Sequence, residues 1–222
     1  MKIIDLTLPL GGQATLVPGH PGVTFKAVTT HEEHGRSNTL ISFSIHPGTH
    51  VDPPYHFVPD GITIDQFPLE RLMGPAVKID LRARAKANRP VTVEDIRTAP
   101  GYPAKGLTGR IVILHSGWNE RMFHEPTYYT SNPYLAVKTA EWLVAQKIQA
   151  LGLDFPQDHF EGPPKKGDFP VHRTILSNGI PFIEHLANLE KIPVAEFEFM
   201  ALPIKIYKGD GAPARAVAIL RD

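Results

Sequence analysis

This sequence of 222 residues predicts a mixed α/β fold, strand-rich, and three observations carry that prediction. Short runs that are β-branched, or that alternate apolar with polar, recur along the chain between Gly, Pro, Asn and Asp, the pattern of strands. Proline stands at 22 residues, about twice its usual share, which favours turns and extended pieces over long helices. Helical periodicity is confined to a few segments. With no internal repeat and no linker composition, residues 1–222 read as a single domain, long enough to bury roughly 70% of the unfolded surface.

Taken in order, the strand candidates are 2–7, 23–30, 39–45, 76–81, 110–115, 149–154, 195–203 and 214–220. Residues 111–114 and 217–220 are continuously apolar and read as central strands. Residues 41–45 alternate, Ile-Ser-Phe-Ser-Ile, so one face of that strand is expected to be buried. The clearest helix opens near 131. Ser131 or Asn132 can cap it, Pro133 suits its first turn, and Leu135, Ala136, Ala140, Leu143 and Val144 follow at helical spacing. Thr92, with Glu94 and Asp95 behind it, opens a second helix. Residues 182–189, ahead of Lys191 and Pro193, form a third candidate. Residues 155–171 read as a long loop of the kind that carries function.

Composition excludes several classes of function. The 23 basic and 23 acidic residues balance, so no basic excess marks a nucleic-acid partner. There are no cysteines, so any metal site must use imidazole and carboxylate. The opening MKIIDLTLPL lacks a signal peptide's apolar core, and no apolar stretch reaches the length of a membrane span. A cytoplasmic protein acting on a small molecule, without nucleic acid or membrane, is the expectation.

The chemistry concentrates in residues 46–57, HPGTHVDPPYHF. Residues before proline are pushed out of the helical region, so this stretch is extended or turning. In an extended chain side chains alternate faces, and His46, His50, Asp52 and His56 share one parity. Gly48, on the same side, leaves room, while the Thr49 hydroxyl points away to tie down the turn. Two imidazoles and a carboxylate on a rigid loop suit Zn(II), Mn(II) or Fe(II), with positions left open for water and substrate.

The run His46-x-Gly48-Thr49-His50-x-Asp52-x-Pro54-x-His56 resembles the signature of the cyclase family of metal-dependent hydrolases, which includes kynurenine formamidases and isatin hydrolases. The likeness extends along nearly the whole chain: IIDLTLPL resembles the family's opening strand, Gly152-Leu153-Asp154-Phe155-Pro156 a later strand end, and HRTILSNGIPFIEHLANLEKIP a second site segment. The resemblance implies the swivelling β/β/α cyclase-like fold. It implies that His46, His50 and Asp52 bind one divalent metal, zinc or manganese, and that Asp52, His172 and Glu184 bind a second, with Asp52 and Glu184 bridging. His56 matches the general acid/base. The implied reaction is hydrolysis of a C–N amide bond in a small aromatic formamide or lactam, kynurenine formamidase-like, by metal-bound hydroxide. The implied assembly is a homodimer or homotetramer. Lactam or lactone hydrolysis of the isatin type, a cyclase or dehydratase reaction at the same metals, and a metal-binding protein without turnover are the alternatives.

Elementary chemistry agrees with this division of labour. A carboxylate shared between two dications screens their repulsion, and Asp52 is the one carboxylate in the first cluster. Bound metal lowers the pKa of water to about 7 and stabilises an oxyanion, and a neutral-range imidazole can protonate the leaving nitrogen. Among the remaining candidates, Phe155, His159, Phe160 and Val17 are expected at the substrate pocket. His185 is expected at the surface or at a cap, His31 and His34 in a solvated turn, and His115 in the core. Where many relatives carry an aromatic residue before a Pro-Gly-Asp run, this chain has Leu16, Val17 and His20, which bears on the choice of substrate.

Overall fold

Ile111, Val112, Ile113 and Leu114 are all fully buried, as befits a strand covered on both faces. Ile111 and Ile113 enter one apolar cluster, and Val112 and Leu114 enter another. Period-2 alternation therefore divides one strand between two cores. The computed structural model describes residues 1–11, 17–159 and 167–221, and the two cores lie on opposite faces of its main sheet.

The strands are β1 (Lys2–Asp5), β2 (Thr24–Thr29), β3 (Asn38–Ser42), β4 (His50–Asp52), β5 (Met73–Asp80), β6 (Pro90–Val91), β7 (Ile111–His115), β8 (Tyr134–Leu135), β9 (Ala150–Leu153), β10 (Phe182–Glu184), β11 (Glu196–Pro203) and β12 (Ala212–Leu220). The helices are α1 (His31–His34), α2 (Val93–Arg97), α3 (Trp118–Met122), α4 (Val137–Ala145) and α5 (Pro170–Ser177). The main sheet runs β1-β12-β11-β5-β7-β9-β10-β4, and β12 pairs with β4 as well. That extra pairing closes β12, β11, β5, β7, β9, β10 and β4 into a barrel-like ring, with β1 alongside the C-terminal half of β12. Within the ring β5, β7, β9 and β10 are parallel neighbours. Ala212, Ala214, Ala216 and Ala218 of β12 turn small side chains into the inner core, so the closed ring is filled without overpacking. Helices α2, α4 and α5 cover the outer core through Ile96, Ala140, Leu143, Val171, Ile175 and Leu176. No helix among the described residues is long and apolar enough to cross a membrane.

The mixed, strand-rich fold class stands, and each strand expected from the sequence has its counterpart. Four expectations are corrected. Residues 182–189 are not a helix: β10 occupies Phe182–Glu184, because its central position between β9 and β4 outweighs local helical propensity. The helix expected from 131 begins only at Val137, since Asn132 spends its amide on the carbonyls of Pro133, Pro156 and Asp158, and Tyr134–Leu135 pair with β6. The long loop of 155–171 ends early, in α5, which starts at Pro170. Finally, β3 has no buried face. It pairs only with β2, in a two-stranded ribbon exposed along most of its length, with Phe25, Val28, Leu40 and Ile41 open to solvent. The alternation of 41–45 therefore does not mark a core strand within this chain.

Candidate metal centre

The site is assembled where β4 joins the ring. β4 pairs antiparallel with β10 so that His50 stands opposite Glu184, and both face the same side. Asp52, two residues on from His50, shares that side. His46 and His56 reach it differently from the way parity predicts. The chain turns at Gly48, whose φ of 64° is left-handed, and this folds His46 back until its Nδ1 lies 2.9 Å from Asp52 Oδ1. Past Pro53 the backbone enters a single 3-10 turn, Pro54–His56, which carries His56 round until its Nε2 is 3.9 Å from Asp52 Oδ2. Alternation thus accounts for His50 and Asp52, while turns account for His46 and His56. Gly48 is needed for its conformation more than for room, since an added Cβ there would meet nothing closer than 3.8 Å. As expected, the Thr49 hydroxyl ties the segment down, donating to the His185 carbonyl and accepting from Leu8 N.

The distal residues arrive from α5 and β10. His172 Nε2 lies 3.1 Å from Glu184 Oε1 and 3.9 Å from Asp52 Oδ2, so the two halves of the site meet at these carboxylates. Asp158 positions His172 twice over. Its carboxylate accepts from the backbone N–H groups of Val171 and His172, capping α5 from a remote loop, and lies 2.6 Å from His172 Nδ1. The Gln157 amide donates to Glu184 Oε1, and its nitrogen lies 2.8 Å from His172 Nε2. On the other side, Asp210 Oδ2 lies 3.0 Å from His46 Nε2, and His50 Nδ1 lies 2.8 Å from the Gly48 carbonyl. Each of the three imidazoles thus engages an outer acceptor through one nitrogen and turns the other toward Asp52 and Glu184. That is how imidazoles are held for metal ligation.

The chemistry of this donor set fits a divalent cation. Asp52 is 1% exposed, and its Oδ2 is buried without a hydrogen-bond partner. Of the four groups of ligand atoms that lie within 4.8 Å of one another among the described residues, three are at this centre: His46, Asp52 and His56; His50, Glu184 and His185; Asp52, His172 and Glu184. Electrostatics agree. Burial alone would lower His46 and His172, but carboxylates outweigh it and hold both near 10: Asp52 and Asp210 at His46, Asp158 and Glu184 at His172. Burial likewise opposes ionisation of Asp52, yet His56, His46 and His50 together keep it well below the usual carboxylate range. Protons here occupy positions a dication would take. His56 is the exception: burial, with His46 and His172 beside it, lowers it to about 4 and leaves it neutral. Its ring stacks on that of His46, centroids 4.0 Å apart.

A cavity opens over this centre, lined by Val17, Pro18, His20, Phe57, Tyr129 and Phe169 beside the ligand-type residues. Of the residues expected at the pocket, Val17 lines it. Phe155 does not: it is fully buried in the outer core. His159 stacks on Tyr134, centroids 5.0 Å apart, and is not among the lining residues. Phe160 and Leu16 lie outside the described residues. His185 is corrected as well: it is 2% exposed and borders the cavity, not the surface. His115 is buried in the core region and pairs with Glu120, and His31 and His34 form the short exposed helix α1. Asp210 and Tyr129 carry no signal in the sequence, whereas Phe57 ends the 46–57 run and Gln157 and Asp158 lie in the loop of 155–171. Asp210 and Tyr129 reach the site by tertiary contact alone, and the loop character of 155–171 is the one signal that bears on Gln157 and Asp158.

The ring-shaped sheet and the buried cluster of His and carboxylate side chains define a strand-rich mixed α/β protein built round a site of metal-ligand type. The profile of the family described as "Putative cyclase" matches residues 4–157, and the chain belongs to the cyclase family. It is 30% identical over 224 residues to a kynurenine formamidase of Salinibacter ruber, covering 100% of this chain and 98% of the relative. Among solved structures, an isatin hydrolase bound to the product analogue thioisatinate superposes with a TM-score of 0.87 at 21% identity, over 100% of this chain and 93% of the other. A potential metal-dependent hydrolase with cyclase activity matches with a TM-score of 0.75 at 27% identity, over 98% and 96% of the two chains.

Proposed function

We propose that this chain is a metal-dependent amidohydrolase that cleaves the C–N bond of a small aryl formamide, arylformamidase-like, at a centre held by His46, His50, Asp52, His172 and Glu184. One observation carries the reading: imidazole nitrogens, each backed by an outer acceptor, converge on two buried carboxylates, one of which keeps an oxygen without a partner. The full-length likeness to a kynurenine formamidase supports the reaction class. The aromatic lining of the cavity by Phe57, Phe169 and Tyr129 supports an aryl substrate. Zinc or manganese would suit imidazole and carboxylate ligands, and Asp52 and Glu184 are the carboxylates that would be shared if two ions were held. The exposed apolar β2–β3 ribbon supports assembly as a homodimer or homotetramer.

Bound metal supplies Lewis-acid polarisation of the carbonyl and acidification of water. The chain supplies the rest. Asp210 and Asp158 fix the orientations of His46 and His172. Phe57 and Phe169, whose centroids are 5.8 Å apart, offer an apolar wall that holds an aromatic ring and excludes bulk water. His56, neutral and 3.9 Å from Asp52 Oδ2, takes a proton from the water whose oxygen forms the new C–O bond to the formyl carbon. It passes that proton to the nitrogen as the C–N bond breaks, so formate and the free arylamine leave. A pair of variants tests this reading. His56→Ala should retain its metal by elemental analysis while losing about 10²–10⁴-fold in turnover. Asp52→Ala should lose the metal itself. Full activity in the first variant, or full metal content in the second, would defeat the assignment.

A further inference from the structure

His185 follows Glu184 and holds a backbone φ of 54°, a left-handed conformation that is uncommon away from glycine. Its backbone is pinned there: its carbonyl accepts from the Thr49 hydroxyl at 2.7 Å, and the neighbouring Ala187 N–H donates to Leu6 O. Strain of this kind persists where surrounding structure over-determines it, and it gathers at functional sites. Here it points the imidazole inward, 2% exposed, against the cavity and beside His50.

A chain of hydrogen bonds then fixes which nitrogen carries the proton. Asn119 Nδ2 donates to the Leu186 carbonyl, so Asn119 Oδ1 is the acceptor that faces the Tyr128 hydroxyl at 2.8 Å. Tyr128 spends its only proton on that oxygen, and its oxygen must accept from His185 Nδ1, also at 2.8 Å. The Nδ1–H tautomer is thereby imposed, and the Nε2 lone pair faces the centre, 3.6 Å from Glu184 Oε2. Its other polar neighbour is the Tyr129 hydroxyl, at a long 3.4 Å. An imidazole whose proton is committed to a buried acceptor, and whose other nitrogen faces a carboxylate with only a long hydrogen bond from a tyrosine, is oriented as a metal ligand.

We propose that His185, through Nε2, is a further ligand of the divalent cation, in the group it forms with His50 and Glu184. The inference rests on the metal-centred function proposed above. His185→Asn is the informative variant, because asparagine accepts the left-handed backbone and can still bond Tyr128, yet its side chain is too short to reach the cation. Titration calorimetry with Mn(II) and the visible spectrum of the Co(II)-loaded protein, on the full chain, read the outcome. The expected result is a loss of affinity at or beyond the roughly 10–100-fold that losing an outer partner of a ligand costs, with altered Co(II) bands. Tyr128→Phe removes the acceptor that fixes the tautomer. It should weaken binding within that same range, and it provides the test should His185→Asn not fold.

Wild-type affinity and an unchanged Co(II) spectrum in His185→Asn would overturn the inference. So would a change in KM shared by His185→Asn and Tyr129→Phe while metal affinity stays put, because Nε2 would then serve the tyrosine. A wild-type protein that takes up no cation would instead defeat the proposed function itself.

Discussion

At the scale of single residues, acceptors behind the imidazoles of the candidate centre fix how those rings are turned. Asp210 engages His46 Nε2 from the loop before β12, so Asp210→Asn should weaken metal binding by about 10–100-fold while the fold is retained. Calorimetry against a thermal melt separates the two effects. His185 yields a second prediction, for the chelated protein. Burial lowers its pKa from 6.5 to about 4, so the native state keeps it neutral while the unfolded chain protonates near the ordinary value. The unfolded state therefore binds more protons between those values. Stability contributed by the neutral ring is complete above pH 6.5 and is lost as pH falls toward 4, by up to about 3 kcal/mol. Urea melts at pH 5 and pH 7.5 should show a smaller difference for His185→Asn than for wild type. Sequence made His46, His50, Asp52 and His56 legible because their chemistry is compressed into eleven positions. It left Asp210 and His185 obscure, because the groups they meet, His46 and Tyr128, come from other parts of the chain.

At the scale of elements, the site depends on two short strands and two turns. β4 and β10 have three residues each and carry little local signal, which is why the sequence reads the first as a loop and the second as part of a helix. The long apolar strands were legible because burial on both faces leaves an uninterrupted apolar run. Glycines mark where elements must approach. A Cβ on Gly211 would come within 2.9 Å of His46 Cε1 and 3.1 Å of Asp52 Oδ1. Gly211→Ala should accordingly push His46 out of place and lower metal affinity more than it lowers the melting temperature. Thr92→Ala makes the opposite prediction. It removes the capping box of α2, far from the centre, and should cost about 1 kcal/mol of stability with metal binding untouched.

For the molecule as a whole, ring closure through β12 and β4 holds the two halves of the site in one frame, although more than a hundred residues separate them in sequence. A cation that binds only the folded chain adds to its stability, by about 2.7 kcal/mol at a hundredfold excess over Kd. Chelation should therefore lower the melting temperature by roughly 5–10 °C for a chain of this size. The strands β2 and β3 were readable in the sequence, but their exposure was not. A period-2 pattern announces a covered face without saying whether the cover comes from the same chain. The most direct test of the central claim is the product mass obtained from an N-formyl arylamine, using protein stripped of metal and then reloaded with Mn(II) or Zn(II). Free arylamine and formate, one water having been added, are expected from the reloaded protein alone. Equal product from the stripped protein, or none with either metal, would contradict that claim.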